Sequence, residues 1–141
     1  MRKAKAYLCM QYRGDNGDDA TDAEIQANIE KARQVAFAIR RAFPESLDLY
    51  VPHFNEDIVH RLWKKGLIDS DDILDICCDI VAEQDFLIAI GSMSDGMMRE
   101  QKHAISIGRP VIRIDVFDDD AKEHIGLQIA RVQVNGEDDG D

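Results

Sequence analysis

Residues 85–100 read DFLIAIGSMSDGMMRE, and the fold of the chain is decided here. The first half, 85–91, is apolar almost throughout, as expected of a central strand in a parallel sheet that is covered on both faces. A polar turn and a helix start follow, with Ser94 ahead of the helix and Glu100 in its first turns. In open α/β sheets, ligands bind at such strand ends, where the helix N-terminus offers N–H groups to an anion.

The segments on both sides of this stretch alternate between strand and helix. Strands are predicted at 5–10, 47–51 and 111–116, with a shorter one at 131–134. The clearest helix begins at the capping box of Thr21 and Glu24 and ends before Pro44. Further helices are predicted at 58–63, from a Ser70 cap to about 81, at 97–107 and at 121–129. Because such alternation implies βαβ crossovers, we predict an α/β fold: a small Rossmann-like parallel sheet of about five strands with helices on both faces.

Composition excludes several classes of protein. The 141 residues make one domain, predicted at 1–136 and followed by an acidic tail at 137–141. The net charge of −11 argues against DNA or RNA as a partner, since phosphate backbones require a basic face. No apolar run is long enough to predict a membrane span. The three cysteines have no metal or disulfide spacing, so they indicate buried thiols in a reducing cytoplasm.

Polar clusters follow three of the predicted strands. They are 11–14 after the first strand, His53 and Asn55 after the second, and 94–100 after the third. The carboxyl ends of parallel strands meet at one edge of a sheet, so the three clusters are expected to share one pocket.

The chemistry available to such a pocket is binding of a phosphate beside a carboxylate. Arg13, Ser94 and the backbone N–H groups of Gly14 and Gly96 suit a phosphate. Glu100 would then lie near the attached sugar, where a carboxylate stabilises or captures an oxocarbenium-like carbon. A second acid would assist the leaving group, and Asp75 and Asp79 are one turn apart on the third helix.

Each of these residues also has a purely structural interpretation. Glu100 would complement the helix dipole, and Ser94 would be a helix N-cap. His53 would be a structural histidine and Tyr7 a core residue. Asp75 and Asp79 would lie on the solvated face of an amphipathic helix.

Several segments together resemble a known family. They are YLCMQYRG at 7–14, NIEKAR at 28–33, Pro52-His53, and Ser94-Asp95-Gly96 through Glu100, with Ala104, Gly108, Pro110 and Val111 following. In order and spacing, over roughly residues 5–115, the chain resembles the nucleoside 2-deoxyribosyltransferase superfamily. Within it, the pattern is similar to the 2′-deoxynucleoside 5′-monophosphate N-glycosidases and their uncharacterised bacterial and phage relatives.

The resemblance implies roles for individual residues. Glu100 matches the catalytic glutamate of the family, and Tyr7 matches a tyrosine that assists it. Ser94 and the loop 11–14, which includes Gln11, match the groups that hold the 5′-phosphate. A serine at 94, where the transferases tend to carry an acid, favours a monophosphate substrate. The chain departs from the family at Gln101-Lys102, where the family often reads Ile-Gly. The family's helical aspartate aligns near Cys77, so Asp79 or Asp75 would take that role.

The sequence therefore predicts a cytoplasmic N-glycosidase that splits a (deoxy)nucleoside 5′-monophosphate without a metal or cofactor. Glu100, Tyr7 and Asp79 are the predicted catalytic residues. The predicted substrate-binding residues are Gln11, Arg13, Gly14, His53, Ser94 and Gly96. The resemblance further implies a homodimer or larger homo-oligomer. Two alternatives stay open: base exchange by a deoxyribosyltransferase, and a non-catalytic nucleotide-binding module.

Overall fold

The structure, a computed structural model, describes residues 2–12, 19–55 and 57–138. In chain order its elements are β1 (Ala4–Cys9), α1 (Asp22–Ala42), β2 (Leu47–Tyr50), a short 3-10 helix (Pro52–Asn55), α2 (Asp57–Lys64), α3 (Ser70–Ala82), β3 (Phe86–Ile90), α4 (Asp95–Ser106), β4 (Val111–Ile114) and α5 (Asp119–Asp138). The predicted α/β alternation is confirmed, and the ends of the first four strands shift by at most two residues.

The four strands of the described residues form one parallel sheet in the order β2-β1-β3-β4. Tyr7 of β1 is in register with Tyr50 of β2 on one side and with Leu87 of β3 on the other. The chain leaves β1 towards β2 and returns on the opposite side of β1 as β3. The strand order therefore reverses between β1 and β3, and in such sheets the crevice at the reversal is the usual ligand site.

The sheet has four strands rather than about five, because 131–134 belongs to α5. The alternation of Arg131-Val132-Gln133-Val134 imitates a strand, yet only Val132 is buried while Val134 is 54% exposed. Ile125, Ile129 and Val132 follow one another at helical spacing and pack on the core. The helical period therefore continues through the segment that was predicted to be a strand.

Helix caps account for where two of the helices begin. Thr21 Oγ1 accepts from the N–H of Glu24 at 3.1 Å, which confirms the predicted start of α1. For α3 the predicted cap, Ser70, is wrong. Asp69 caps this helix by accepting a hydrogen bond from the Asp72 N–H at 2.8 Å, and the Asp72 carboxylate accepts one from the Asp69 N–H in return. A carboxylate at this position satisfies the N–H groups and also complements the positive end of the helix dipole.

The two faces of the sheet are covered by different helices. Alternate residues of β1 point to opposite faces: Ala4, Ala6 and Leu8 pack with α1 and α5, while Tyr7 and Cys9 pack with α3 and α4. The amino edge is held by Asp85, whose carboxylate accepts two hydrogen bonds from Arg2, at 2.9 and 3.0 Å, and one from the Lys5 N–H at 2.8 Å. No helix of the described chain combines the length and apolar character that crossing a bilayer requires.

Candidate active site

The site is centred on Glu100, whose side chain is only 8% exposed. Glu100 lies in the second turn of α4, on the side that packs against the sheet. Tyr7, which is completely buried, and Cys9 face it from β1. The Cys9 Sγ lies 3.9 Å from the Met97 carbonyl oxygen, which places the thiol against the first turn of α4.

The environment of Glu100 changes its acidity. Burial raises the pKa of Glu100 from an ordinary 4.5 to about 7, and the nearby Tyr7 hydroxyl and Cys9 thiol lower it in part. Burial, followed by the charge of Glu100, raises the pKa of both Tyr7 and Cys9 well above their usual values. At neutral pH the carboxyl is therefore divided between its two protonation states, while its two neighbours are neutral donors.

Two atoms of this cluster are left unsatisfied. Within the described chain, neither Tyr7 Oη nor Glu100 Oε2 forms a hydrogen bond of good geometry, although the two groups are close enough to influence each other's pKa. Buried polar groups almost always have partners, and each unpaired one costs about 1–3 kcal/mol. A buried carboxyl whose pKa is raised this far is typical of functional sites.

The two candidates for the second acid, Asp79 and Asp75, are exposed on α3 and are not buried with Glu100. Asp79 is exposed on α3 and acts instead on the nearby Cys78, where it raises the thiol pKa as one of several smaller causes after burial. Asp75 is also exposed and is bound by Arg99, with Nη2 at 2.6 Å from its carboxylate oxygen. On this helix it is Cys77 that is buried beside Tyr7.

The strand ends converge as predicted. Gln11, after β1, donates from Nε2 to Ser92 Oγ after β3 at 3.1 Å. The Gln11 carbonyl is 2.8 Å from His53 Nε2, after β2. Asn28 of α1 holds the same loop by donating to the Tyr12 carbonyl at 2.9 Å. These hydrogen bonds join the carboxyl ends of all three strands at one edge of the sheet.

His53 supports this edge from inside. It is 4% exposed, and its ring meets that of Tyr12 edge to face at 5.6 Å. Burial lowers the pKa of His53, and the hydrogen bond with the Gln11 carbonyl opposes this in part. The neutral ring donates from Nε2 to the carbonyl, so Nδ1 is an acceptor. Among the residues described, Nδ1 has no partner.

Ser94 and Gly96 form the start of α4. Ser94 is the N-cap, accepting from the Met97 N–H at 3.3 Å, so its structural interpretation is confirmed. Its hydroxyl hydrogen is still able to donate. At Gly96 a Cβ would lie 3.1 Å from Leu74 Cδ2, so this glycine allows α3 and α4 to approach closely. Arg13 and Gly14, predicted to bind phosphate, lie outside the described residues, as does the Asn55 side chain.

A cleft that the sequence did not indicate lies between the end of β2, α2 and α3. It holds about 50 Å³ and is lined by Tyr50, Pro52, Val59, Ile73, Ile76, Cys77 and Ile80. The rings of Tyr50 and Tyr7 stack with centroids 5.7 Å apart and planes at 17°. A sequence signal existed, since residues 73, 76, 77 and 80 form one apolar stripe of α3, but such a stripe usually indicates core.

Nowhere in the described chain do three or more histidine, cysteine or acidic side chains gather as a metal site would require. Comparisons of the chain with protein-family models, with curated proteins and with solved structures give no match.

Proposed function

We propose that this protein is an N-glycosidase that hydrolyses the N-glycosidic bond of a (deoxy)nucleoside 5′-monophosphate to free base and sugar 5-phosphate. The observation that carries the proposal is the Glu100 carboxyl, which is buried beside Tyr7 and Cys9 with a pKa of about 7. A buried carboxyl that forms no ion pair with any described residue is costly, and such groups concentrate at sites of chemistry.

In the proposed reaction, ionised Glu100 attacks or stabilises the anomeric carbon. As the C–N bond breaks, its electron pair leaves with the base and positive charge develops on the sugar. The carboxylate faces that charge in surroundings of low dielectric constant, where the attraction is strong. Water then adds its oxygen to the anomeric carbon, which breaks any glycosyl bond to Glu100 and frees the carboxylate, and the proton that the water loses balances the proton that the departed base takes up. The Tyr7 hydroxyl, which lies close enough to Glu100 to lower its pKa, orients the carboxylate by donating to it.

The start of α4 is the proposed phosphate site. The Ser94 hydroxyl and the first-turn N–H groups face an anion there with the favourable end of the helix dipole. Glu100 follows Ser94 by six positions along the helix, a rise of about 9 Å. The Glu100 side chain leans back towards the N-terminus, so one nucleotide can reach both groups. Gln11, joined to Ser92, is the proposed neighbour of the phosphate on the β1 side.

The resemblance to the nucleoside 2-deoxyribosyltransferase superfamily supports the same reaction. Glu100, Tyr7 and Ser94, which that resemblance assigns to catalysis and phosphate binding, all lie on or beside α4. The proposal places the protein in the cytoplasm as a homodimer or larger homo-oligomer that uses no cofactor.

One observation favours a second candidate, a nucleotide-binding module without catalysis. The predicted leaving-group acid, Asp79, is exposed, and Asp75 is bound to Arg99. If the departing base needs a protein acid, the described site does not supply one from this helix. A module of this kind would bind the nucleotide through the strand ends and leave the glycosidic bond intact.

The deciding experiment is incubation of the full chain with a panel of nucleoside and deoxynucleoside 5′-monophosphates, followed by chromatographic measurement of free base. We expect the wild type to release base. In Glu100→Ala the rate of base release should fall by roughly 10²-fold or more, because positioned groups that transfer protons or stabilise charge contribute rate factors of this size. The matched control is Glu123→Gln, an exposed position on α5.

Full activity in Glu100→Ala would contradict the assigned mechanism. Tight nucleotide binding with no base released from any substrate would favour the binding module over the hydrolase.

A further inference from the structure

The two edge strands of the sheet differ in how their outer sides are covered. β2 and β4 lie at the ends of the strand order β2-β1-β3-β4. On β2, Arg40 Nη2 donates to the Leu49 carbonyl at 3.0 Å. Within the described parts of the chain, no side chain does the same for the backbone of β4. An open edge strand is a template for pairing with another chain, and proteins normally cover or blunt it.

The hydrogen bonds to β3 show which backbone groups of β4 face the open edge. The Ile114 carbonyl accepts from the Gly91 N–H at 3.1 Å, so Ile114 bonds to the β3 side. Because successive residues of a strand direct their N–H and carbonyl groups to alternate edges, those of Arg113 face outward. The groups of Asp115 face the same way once the strand continues past Ile114.

The sequence of this edge is complementary to itself when it is reversed. Residues 112–116 read IRIDV, so Arg113 and Asp115 flank Ile114 and lie on one face of the strand. In an antiparallel pair of two copies centred on Ile114, Arg113 of each copy lies opposite Asp115 of the other. Ile112 then lies opposite Val116, which is 61% exposed in the single chain.

Hydrogen bonding and charge both favour this register. Opposed residues whose backbone groups face each other exchange two hydrogen bonds, and Arg113 and Asp115 are such residues. Opposite charges at directly opposed positions stabilise a pair of strands, whereas like charges destabilise it. A pair centred on Arg113 would oppose two arginines, and one centred on Ile112 would set Val116 opposite a glycine.

We infer that β4 is the surface through which two copies of this chain associate, pairing antiparallel about Ile114 so that their sheets become one continuous sheet. Asp115 and Val116, which form a bend after β4, join the strand in this pair. The inference specifies the interface of the homodimer proposed above and does not depend on the proposed hydrolysis.

The first test is the dissociation constant of the dimer, measured on the full chain by sedimentation equilibrium. Each chain carries a charge of −11, so the copies repel each other. The measurement therefore uses about 0.15 M salt, where exposed charges more than about 8 Å apart are largely screened. Under these conditions we expect the wild type to form dimers.

Charge variants test the register. Arg113→Asp and Asp115→Arg each place like charges opposite one another on both sides of the two-fold axis. Each should raise the dissociation constant roughly 10-fold or more, since one such pair contributes a factor of up to about 5. The double variant Arg113→Asp/Asp115→Arg restores opposite charges and should return the constant to near the wild-type value. Asp48→Arg, the same charge change at an exposed position of β2, is the control and should change nothing.

A cysteine cross-link reads the register directly. The two copies of Ile114 would face each other with Cα atoms about 4.5 Å apart, which a disulfide can span. Ile114→Cys treated with oxidised glutathione should therefore give a covalent dimer. Ile112→Cys should not, because its two copies would lie about 14 Å apart along the strands. The wild type, whose cysteines are buried, is expected to stay unlinked.

A chain that stays monomeric throughout the sedimentation series would overturn this inference together with the proposed homodimer. A dimer that ignores the charge variants, that the double variant does not restore, or that cross-links through Ile112→Cys instead of Ile114→Cys would overturn this interface alone. The release of base is measured separately, so none of these outcomes decides the proposed hydrolysis.

Discussion

At the scale of single residues, Glu100 is the departure from ordinary protein construction. A glutamate on α4 could have faced solvent and stabilised the helix through its dipole at no cost. Instead its carboxyl is buried at the sheet face, and burial raises its pKa to about 7. Near-neutral pKa values of buried carboxyls are a means by which proteins keep an acid or base ready at physiological pH.

The first prediction concerns stability and pH. The pKa of Glu100 is about 7 in the folded protein and 4.5 in the unfolded chain. Protonation of Glu100 therefore makes its full contribution to the free energy of unfolding below pH 4.5, and this contribution is lost as the pH rises through 7. At pH 8 the wild type has lost about 3 kcal/mol of stability in this way. We expect Glu100→Gln, which cannot ionise, to gain stability over the wild type by about 3 kcal/mol at pH 8 and by less than about 1 kcal/mol at pH 5.

Urea denaturation of both proteins at the two pH values measures this. Glu123→Gln is the control, since this glutamate is exposed on α5. A stability difference between Glu100→Gln and the wild type that does not change with pH would show that the carboxyl titrates normally.

At the scale of elements, α5 shows how a local pattern misleads. Residues 131–134 alternate polar and apolar, which favours a strand, but the preceding turns already commit the chain to a helix that covers the sheet. Helix formation is cooperative, so adding four residues to an existing helix costs little. A new edge strand would need a return loop and a partner strand.

The second prediction distinguishes helix from strand at this segment. In a strand, Val132 and Val134 would share one face; in α5, Val132 is buried and Val134 is 54% exposed. We expect Val132→Asp to lower the free energy of unfolding by several kcal/mol, because it buries a charge without a partner. Val134→Asp should change it by no more than about 0.5 kcal/mol. Similar losses in thermal stability for both variants would contradict the helix.

At the scale of the whole molecule, the site is assembled by topology. The chain reverses its direction across the sheet between β1 and β3, and the hydrogen bonds among Gln11, Ser92 and His53 connect residues far apart in sequence. The amino edge is stabilised separately, by Asp85 with Arg2 and the Lys5 N–H.

The third prediction concerns this amino edge. Burial would raise the pKa of Asp85, but the hydrogen bonds from Arg2 and Lys5 outweigh it and lower the pKa. The Asp85 carboxylate therefore contributes to the free energy of unfolding above the ordinary aspartate pKa. This contribution is lost as the pH falls through the lowered pKa of Asp85. Because the carboxylate is partly solvated, we expect Asp85→Asn to cost about 1 kcal/mol at pH 7.

Denaturation at pH 7 and at about pH 3 measures the cost, with Asp48→Asn, an exposed position on β2, as the control. The cost should shrink at low pH. An effect of Asp85→Asn that is equal at both pH values would mean that the carboxylate charge contributes nothing to the edge.

Much of the fold could be predicted because its signals are local. The Thr21–Glu24 capping box, the apolar period of α1 and the unbroken apolar run of β3 each depend on neighbours within a few residues. The convergence of Gln11 and His53 with the end of β3 could also be predicted, since parallel strands end at one edge. The reaction that the site performs stays a prediction, which base release will test.

What the sequence by itself determined is the alternation of elements, the parallel sheet and the edge at which polar residues gather. Only the tertiary structure decided that Glu100 is buried with an unsatisfied oxygen, that Asp79 points to solvent while Cys77 lies in the cluster, and that a cleft opens beside Tyr50. The physical reason is that periodicity indicates which residues share a face of a helix. Whether that face is covered depends on how neighbouring elements pack, and burial in turn sets the pKa values and accessibility on which function depends.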